Sequence, residues 1–251
     1  MKQAVPRFGV WAGRKYFLDK MTLRELVGAY FTYYAILAYL LLAALTIALT
    51  VVWSEGVWPP LAAAAIVVPV YPLVWYLLHR FVLHGGYLYK SPRTASVWKR
   101  IHYDHHRDPN DLSVLFGALY TTLPTIAIVT LPLGYLIGGP GGATAGLAAG
   151  LLITCFYEFC HCCQHLPFAP KMAWLQRIKK LHLAHHFHSE QGNYGITNFW
   201  FDRLLGTYYA HPKQIARSQT VFNLGYTGAV AERYPWVARL DEASNIRRGE
   251  A

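Results

Sequence analysis

The chain has 251 residues, of which 54% are hydrophobic and only 14% charged, against about 25% charged in ordinary soluble domains. This excludes a disordered chain and argues against a soluble enzyme. A net charge of +10 on so apolar a protein is a basic coat suited to a membrane surface. It does not suit nucleic acid, whose partners are rich in charge.

The first twenty residues are basic, but they lack an apolar core followed by a small-residue cleavage site, so no cleaved secretory signal is expected. Residues 1–25 are read as a cytosolic or interfacial segment. From Leu26 to Ser54 there is no charge. As one helix that run would reach about 43 Å, more than the roughly 30 Å of hydrocarbon it must cross. A span over about 30–53 is expected, with Tyr30, Tyr33 and Tyr34 at the interface. Thr22 and Glu25 have the spacing of a capping box.

A second span is expected over 59–78, opened by Pro59 and Pro60 and kinked by Pro69 and Pro72. Residues 112–157 carry no charge and would make a helix of about 70 Å, twice a bilayer. Gly138-Gly139-Pro140-Gly141-Gly142 divides the run into spans near 114–137 and 143–160. Gly142, Gly146 and Gly150 recur every four residues, a pattern that lets helices approach closely. Cys155, Cys160, Cys162 and Cys163 lie in this apolar run without disulfide spacing and read as buried thiols.

Four spans put both ends on one side. Lys and Arg lie in 1–25, 79–112 and 166–251, and none lies in the connections near 54–58 and 138–142. The positive-inside rule therefore predicts cytoplasmic termini and a cytoplasmic middle segment.

Twelve histidines are present, and ten form four clusters at the expected cytoplasmic ends of the spans. These are His79 and His84 in HRFVLH, His102, His105 and His106 in HYDHH, His161 and His165 in HCCQH, and His182, His185 and His186 in HLAHH. Positions i, i+3 and i+4 share one helix face, so each HxxHH aims three imidazoles from one side. His79 and His84 stand about 140° apart on an ideal helix. Either the helix is distorted there or the two serve different ions. Ten imidazoles exceed one ion's coordination number and fit two adjacent ions with about five nitrogens each. A structural zinc needs only four ligands and usually recruits cysteine. Two all-nitrogen ions at the lip of a bilayer suit activation of dioxygen for insertion into a lipid C–H bond, which no side chain performs.

HRFVLH, HYDHHRDPND, HCCQH and HLAHHFHSEQGNYGITNFWFDRLLGT together resemble the fatty acid hydroxylase / sterol desaturase superfamily of integral-membrane di-iron enzymes. The resemblance covers about 79–207. The HRFxxH opening and the KKLHLAHH block look most like fatty acid 2-hydroxylases. It implies an all-α integral-membrane fold of four transmembrane helices under a cytosolic helical cap, with the ten histidines at two metals. In that reading 26–251 is one hydroxylase-like domain, with a histidine core at 79–207 and a tail at 208–251. Implied cofactors are two Fe ions, which Zn may replace in inert protein, and O2. Many eukaryotic relatives carry a fused cytochrome b5 domain. No haem-binding HPGG is present here, so a separate cytochrome b5- or ferredoxin-like electron carrier is expected.

A metal-bound imidazole usually hands its other N–H to a carboxylate or carbonyl. Asp111 and Asp202 are candidates for that role, with surface ion pairs to Arg107 and Arg203 as the alternative. His188, three residues after His185, is a further supporting candidate, and His211 reads as a loop residue. Tyr194 and Trp200 are candidates to line a substrate channel, although a buried aromatic cluster would explain them equally well. Lys179 and Lys180 read as a solvated basic run. The expected function is hydroxylation of a lipid chain, most naturally at the acyl 2-position. A carotenoid or sterol ring hydroxylase is the alternative within the superfamily. A divalent-metal transporter, from another class, would place carboxylates near the bilayer midplane. Here the expected spans carry only Glu158, at the very end of the fourth.

Overall fold

Among the described residues, extended pairing is limited to one bridge between Phe17 and Asp111; the rest is helix and loop. The structure, a computed structural model, describes residues 16–248, with side chains through Glu242. Residues 1–15 of the expected N-terminal segment and 249–251 of the tail lie outside the described residues. The helices are α1 (Leu23–Tyr30), α2 (Tyr34–Trp53), α3 (Trp58–Leu77), α4 (Pro92–Trp98), α5 (Asp104–Arg107), α6 (Leu112–Leu115), α7 (Leu119–His165), α8 (Ala173–Phe187), α9 (Trp200–Leu204), α10 (Ala229–Arg233) and α11 (Trp236–Arg248). Three helical stretches, containing α2, α3 and α7, are long and apolar enough to cross a membrane.

The described residues pack as two compact units, one of residues 24–75 and 117–161, the other of residues 16–23, 76–116 and 162–248. In the first unit the uncharged run from Leu26 to Ser54 is divided between α1 and α2. Tyr33 is extended at φ −75° and ψ 130°, so the long apolar helix begins at Tyr34. α3 holds Pro69 and Pro72 within it.

α7 is two helices joined at Gly138 (φ −144°, ψ 26°) and Gly139 (φ 59°, ψ −148°). The positive φ is open to glycine at little cost, which is why the break falls there. The halves run antiparallel. Gly142 lies against the Gly134 backbone, Gly146 against the Thr130 carbonyl, and Gly150 against Thr130 and Ile126. The every-fourth-residue glycines are therefore the packing seam of a helical hairpin. Thr50 donates to Thr144 at 2.8 Å and Tyr71 to Thr154 at 3.0 Å, tying α2 and α3 to the second half of α7. The four cysteines are buried and form no disulfide. Glu158 is buried and accepts a hydrogen bond from the Gly117 amide at 3.0 Å.

The second unit has its own aromatic core of Tyr89, Ala95, Trp98, Tyr103, Tyr226 and Val237. It gathers α4, the helical turns around Tyr103, and α11. Asp241 of α11 pairs with Lys99 at 2.9 Å and Arg107 at 2.7 Å, and Lys99 also meets Asp104 at 2.5 Å. These ion pairs and the aromatic core brace both ends of the HYDHH segment.

Candidate metal centre

Two π-helical turns shape the histidine positions. Leu78–Leu83 continues α3 as a π-helix, with the His84 amide donating to the His79 carbonyl at 3.1 Å. That i→i+5 bond brings positions five apart onto one side. The two rings meet with Nε2 atoms 3.2 Å apart, so the helix is distorted and the pair does not diverge. A second π-turn, Lys99–Tyr103, leads into α5 and carries His102. Such insertions concentrate at functional sites.

The rings form two clusters. His79, His84, His102 and His106 offer nitrogens all within 4.8 Å of one another, as do His105, His165, His182 and His186. His106, His185 and His186 form a third such set that joins them. The His185 ring lies 4.9 Å from those of His79 and His84 and 5.1 Å from that of His106. Each HxxHH is thus divided. His102 and His106, at i and i+4, join the first cluster while His105, at i+3, joins the second. In the other motif His182 and His186 join the second cluster while His185 leans to the first. His161 is buried, one turn before His165 on α7.

Three imidazoles are held by main-chain carbonyls. His79 Nδ1 meets the Tyr194 carbonyl at 2.6 Å, His106 Nδ1 that of Val221 at 2.8 Å, and His185 Nδ1 that of Gly192 at 2.7 Å. A carbonyl only accepts, so each Nδ1 carries the proton and each Nε2 presents a lone pair. The Nε2 atoms of His106 and His185 and Nδ1 of His186 are buried without a hydrogen-bond partner. Elsewhere nitrogens converge, His84 Nε2 on His102 Nε2 at 2.8 Å and His165 Nε2 on His182 Nε2 at 2.9 Å. Two nitrogens bound about 2.0–2.1 Å from one ion at a right angle stand about 2.9 Å apart. Orphaned buried lone pairs, an all-imidazole donor set and this spacing fit borderline transition-metal ions.

Burial pushes the imidazoles of His106 and His185 down to about 3. Burial, reinforced by neighbouring imidazoles, holds His84, His102 and His186 well below the ordinary range. These rings are neutral at physiological pH, the form that ligates.

Asp202 is fully buried, and the alternative of a surface ion pair to Arg203 does not describe it. Its Oδ1 accepts from the Tyr194 amide at 2.7 Å and Thr207 Oγ1 at 2.9 Å, and its Oδ2 from the Gly195 amide at 2.9 Å. The carboxylate shapes the loop whose Tyr194 carbonyl holds His79. Asp111 caps α6, accepting from the Ser113 amide at 2.8 Å. His188 Nε2 donates to the Ile215 carbonyl at 3.0 Å, and exposed His211 opens the turn Pro212–Gln214. The Tyr194 ring is buried 5.2–5.6 Å from those of His79, His84 and His185, and burial pushes its hydroxyl up to about 12. Trp200 is 69% exposed, whereas its neighbour Phe199 is buried. Lys179 is not a solvated charge. Its Nζ donates to the carbonyls of Leu166 and Phe168 just past the end of α7, while Lys180 is exposed. Sequence reasoning missed the carbonyls of Gly192, Tyr194 and Val221 as imidazole acceptors.

The profile of the fatty acid hydroxylase family matches residues 64–207, and the chain belongs to that family. Among curated relatives, it is 31% identical over 146 residues to the ceramide very long chain fatty acid hydroxylase SCS7 of Saccharomyces cerevisiae, covering 55% of this chain and 36% of that protein. It is 33% identical over 144 residues to the dihydroceramide fatty acyl 2-hydroxylase FAH2 of Arabidopsis thaliana, covering 54% and 55%. The fatty acid 2-hydroxylase of Homo sapiens is 29% identical over 133 residues, covering 51% and 34%. The matched part is thus about half or less of each relative's length. The fold is similar to a solved structure of full-length scs7p in which only the hydroxylase domain is visible, with a TM-score of 0.61 and 26% identity over 74% of this chain and 68% of that one.

Proposed function

We propose that this chain hydroxylates a fatty acyl chain at the carbon next to its carbonyl, using O2, two irons and two electrons. One oxygen atom enters the C–H bond and the other leaves as water. The observation that carries this reading is the pair of joined, all-imidazole clusters with buried unpartnered nitrogens. The names of the relatives support the substrate class.

His79, His84, His102, His106 and His185 would hold one iron, and His105, His161, His165, His182 and His186 the other. His161 is assigned from its place one turn before His165. When bound, the irons supply the oxygen activation that side chains lack. The protein keeps the imidazoles neutral and fixes three of them through carbonyls. The Tyr194 ring shields the first cluster from water. Tyr194 and Trp200 remain the candidates for contact with substrate. The hairpin in α7 supports four spans in place of three. The distribution of Lys and Arg supports cytoplasmic termini and a cytosolic cap. A separate cytochrome b5- or ferredoxin-like protein would deliver the electrons.

Mass spectrometry of lipids from cells expressing wild type or His185→Ala tests the reading. Wild type should yield 2-hydroxyacyl lipids and the variant none. Equal hydroxylated lipid from both would refute it. Oxygenation confined to a carotenoid or sterol ring would reassign the substrate.

A further inference from the structure

We propose that Glu190 is a positioning residue for the first histidine cluster, latching the segment 215–221 onto the loop 188–195. The inference rests on the two-metal reading above. The acceptor for His106 is the Val221 carbonyl, and Val221 lies beyond residue 207, where the family match ends. Residues 215–220 form no regular structure, so a carbonyl carried by them needs an anchor.

Glu190 supplies it. Its Oε1 accepts from Ser218 Oγ at 2.9 Å and from Thr220 Oγ1 at 2.6 Å, one residue before Val221. The Ser218 amide donates to the His188 carbonyl at 2.8 Å, and His188 Nε2 bonds Ile215. On its own side of the latch, Glu190 stands two residues before Gly192 and four before Tyr194, the acceptors for His185 and His79. One carboxylate therefore joins the two stretches that carry all three of these carbonyls. Glu190 is 5% exposed, and its Oε2 is buried without a partner. An orphaned buried oxygen is a cost to the fold. Two hydrogen bonds on Oε1, from Ser218 and Thr220, are what the side chain secures in return. Its role is indirect, since no bond joins it to an imidazole.

The test is metal binding by the purified full chain, read without turnover. Wild type, Glu190→Ala, Glu190→Gln and the double variant Ser218→Ala/Thr220→Val are loaded with Co2+. Ions per chain are counted after chelator competition, and the visible Co2+ spectrum is recorded. Loss of an outer partner of a metal-bound histidine weakens binding by about 10–100-fold. Glu190→Ala and the double variant should each weaken one ion by that factor, keep the other, and change the spectrum. Glu190→Gln keeps an oxygen acceptor for both hydroxyls and should restore wild-type occupancy. Where Glu190→Ala fails to fold, the double variant, which leaves the carboxylate in place, decides the matter. Two ions held at wild-type affinity with an unchanged spectrum in the double variant would overturn the latch. Wild type holding fewer than two ions would instead refute the two-metal reading itself.

Discussion

Replacing Asp202 with alanine should loosen the second unit and the metal centre together. The carboxylate satisfies three donors, the amides of Tyr194 and Gly195 and the hydroxyl of Thr207, at 2.7–2.9 Å. The side chain is fully buried, so water does not take its place freely. Each buried donor left unpaired costs about 1–3 kcal/mol. With partial relaxation the total is about 3–6 kcal/mol, a large share of the roughly 5–15 kcal/mol that stabilises a domain. The amides of Thr207 and Tyr208 bond the Asp202 main-chain carbonyl and are untouched, so the turn survives while the Tyr194 loop loses its hold. At about 2–4 °C per kcal/mol, the melting temperature should fall by roughly 6–24 °C. Asp202→Asn keeps one acceptor oxygen but turns an NH2 group toward a backbone N–H, so it should cost about 1–3 kcal/mol. Fluorescence-monitored melting of purified protein, with metal content measured on the same samples, gives both readings. An alanine variant that melts within 2 °C of wild type, a shift of about 1 kcal/mol or less, with full metal would show that the Asp202 network does not hold the loop.

His105→Ala and His106→Ala, adjacent in sequence, should each lose a different ion, and the double variant both; a double variant no poorer in metal than either single one would contradict the division of the HxxHH motif. Metal-free protein should lose stability in acid. The folded-state values near 3 for His106 and His185 lie below that of a free imidazole, about 6.5, so between them the unfolded chain binds more protons. Stability is then full above about pH 6.5 and falls as pH drops toward 3, which melting across that range would reveal. Gly146→Leu should cost about 1–3 kcal/mol through overpacking, because a Cβ there meets the Thr130 carbonyl at 2.9 Å and backbone cannot step aside; unchanged melting would refute the seam.

The features legible in the sequence are those that side chains declare. The break at Gly138 and Gly139 announced itself because glycine and proline interrupt an apolar run too long for one span. The break at Tyr33 had no such residue to mark it, and only excess helix length hinted at it. The five-residue interval between His79 and His84 was visible as an anomaly with two resolutions; a π-turn, set by packing, is the one adopted. The acceptors for His79, His106 and His185 were illegible, because every residue has a carbonyl. The carboxylates that the sequence offers for this role lie elsewhere: Asp202 acts one bond further out, and Asp111 caps a helix.

The divided HxxHH motifs tie the spacing of the two clusters to the pitch of the α-helix. Within each motif, adjacent positions serve opposite addresses, so the offset between them is fixed by about 1.5 Å of rise and 100° of turn per residue. No single rotamer change retunes it. Deleting one residue inside either motif would swing rings out of both clusters at once. The interval between the clusters is therefore a property of two short helical motifs, each only five residues long.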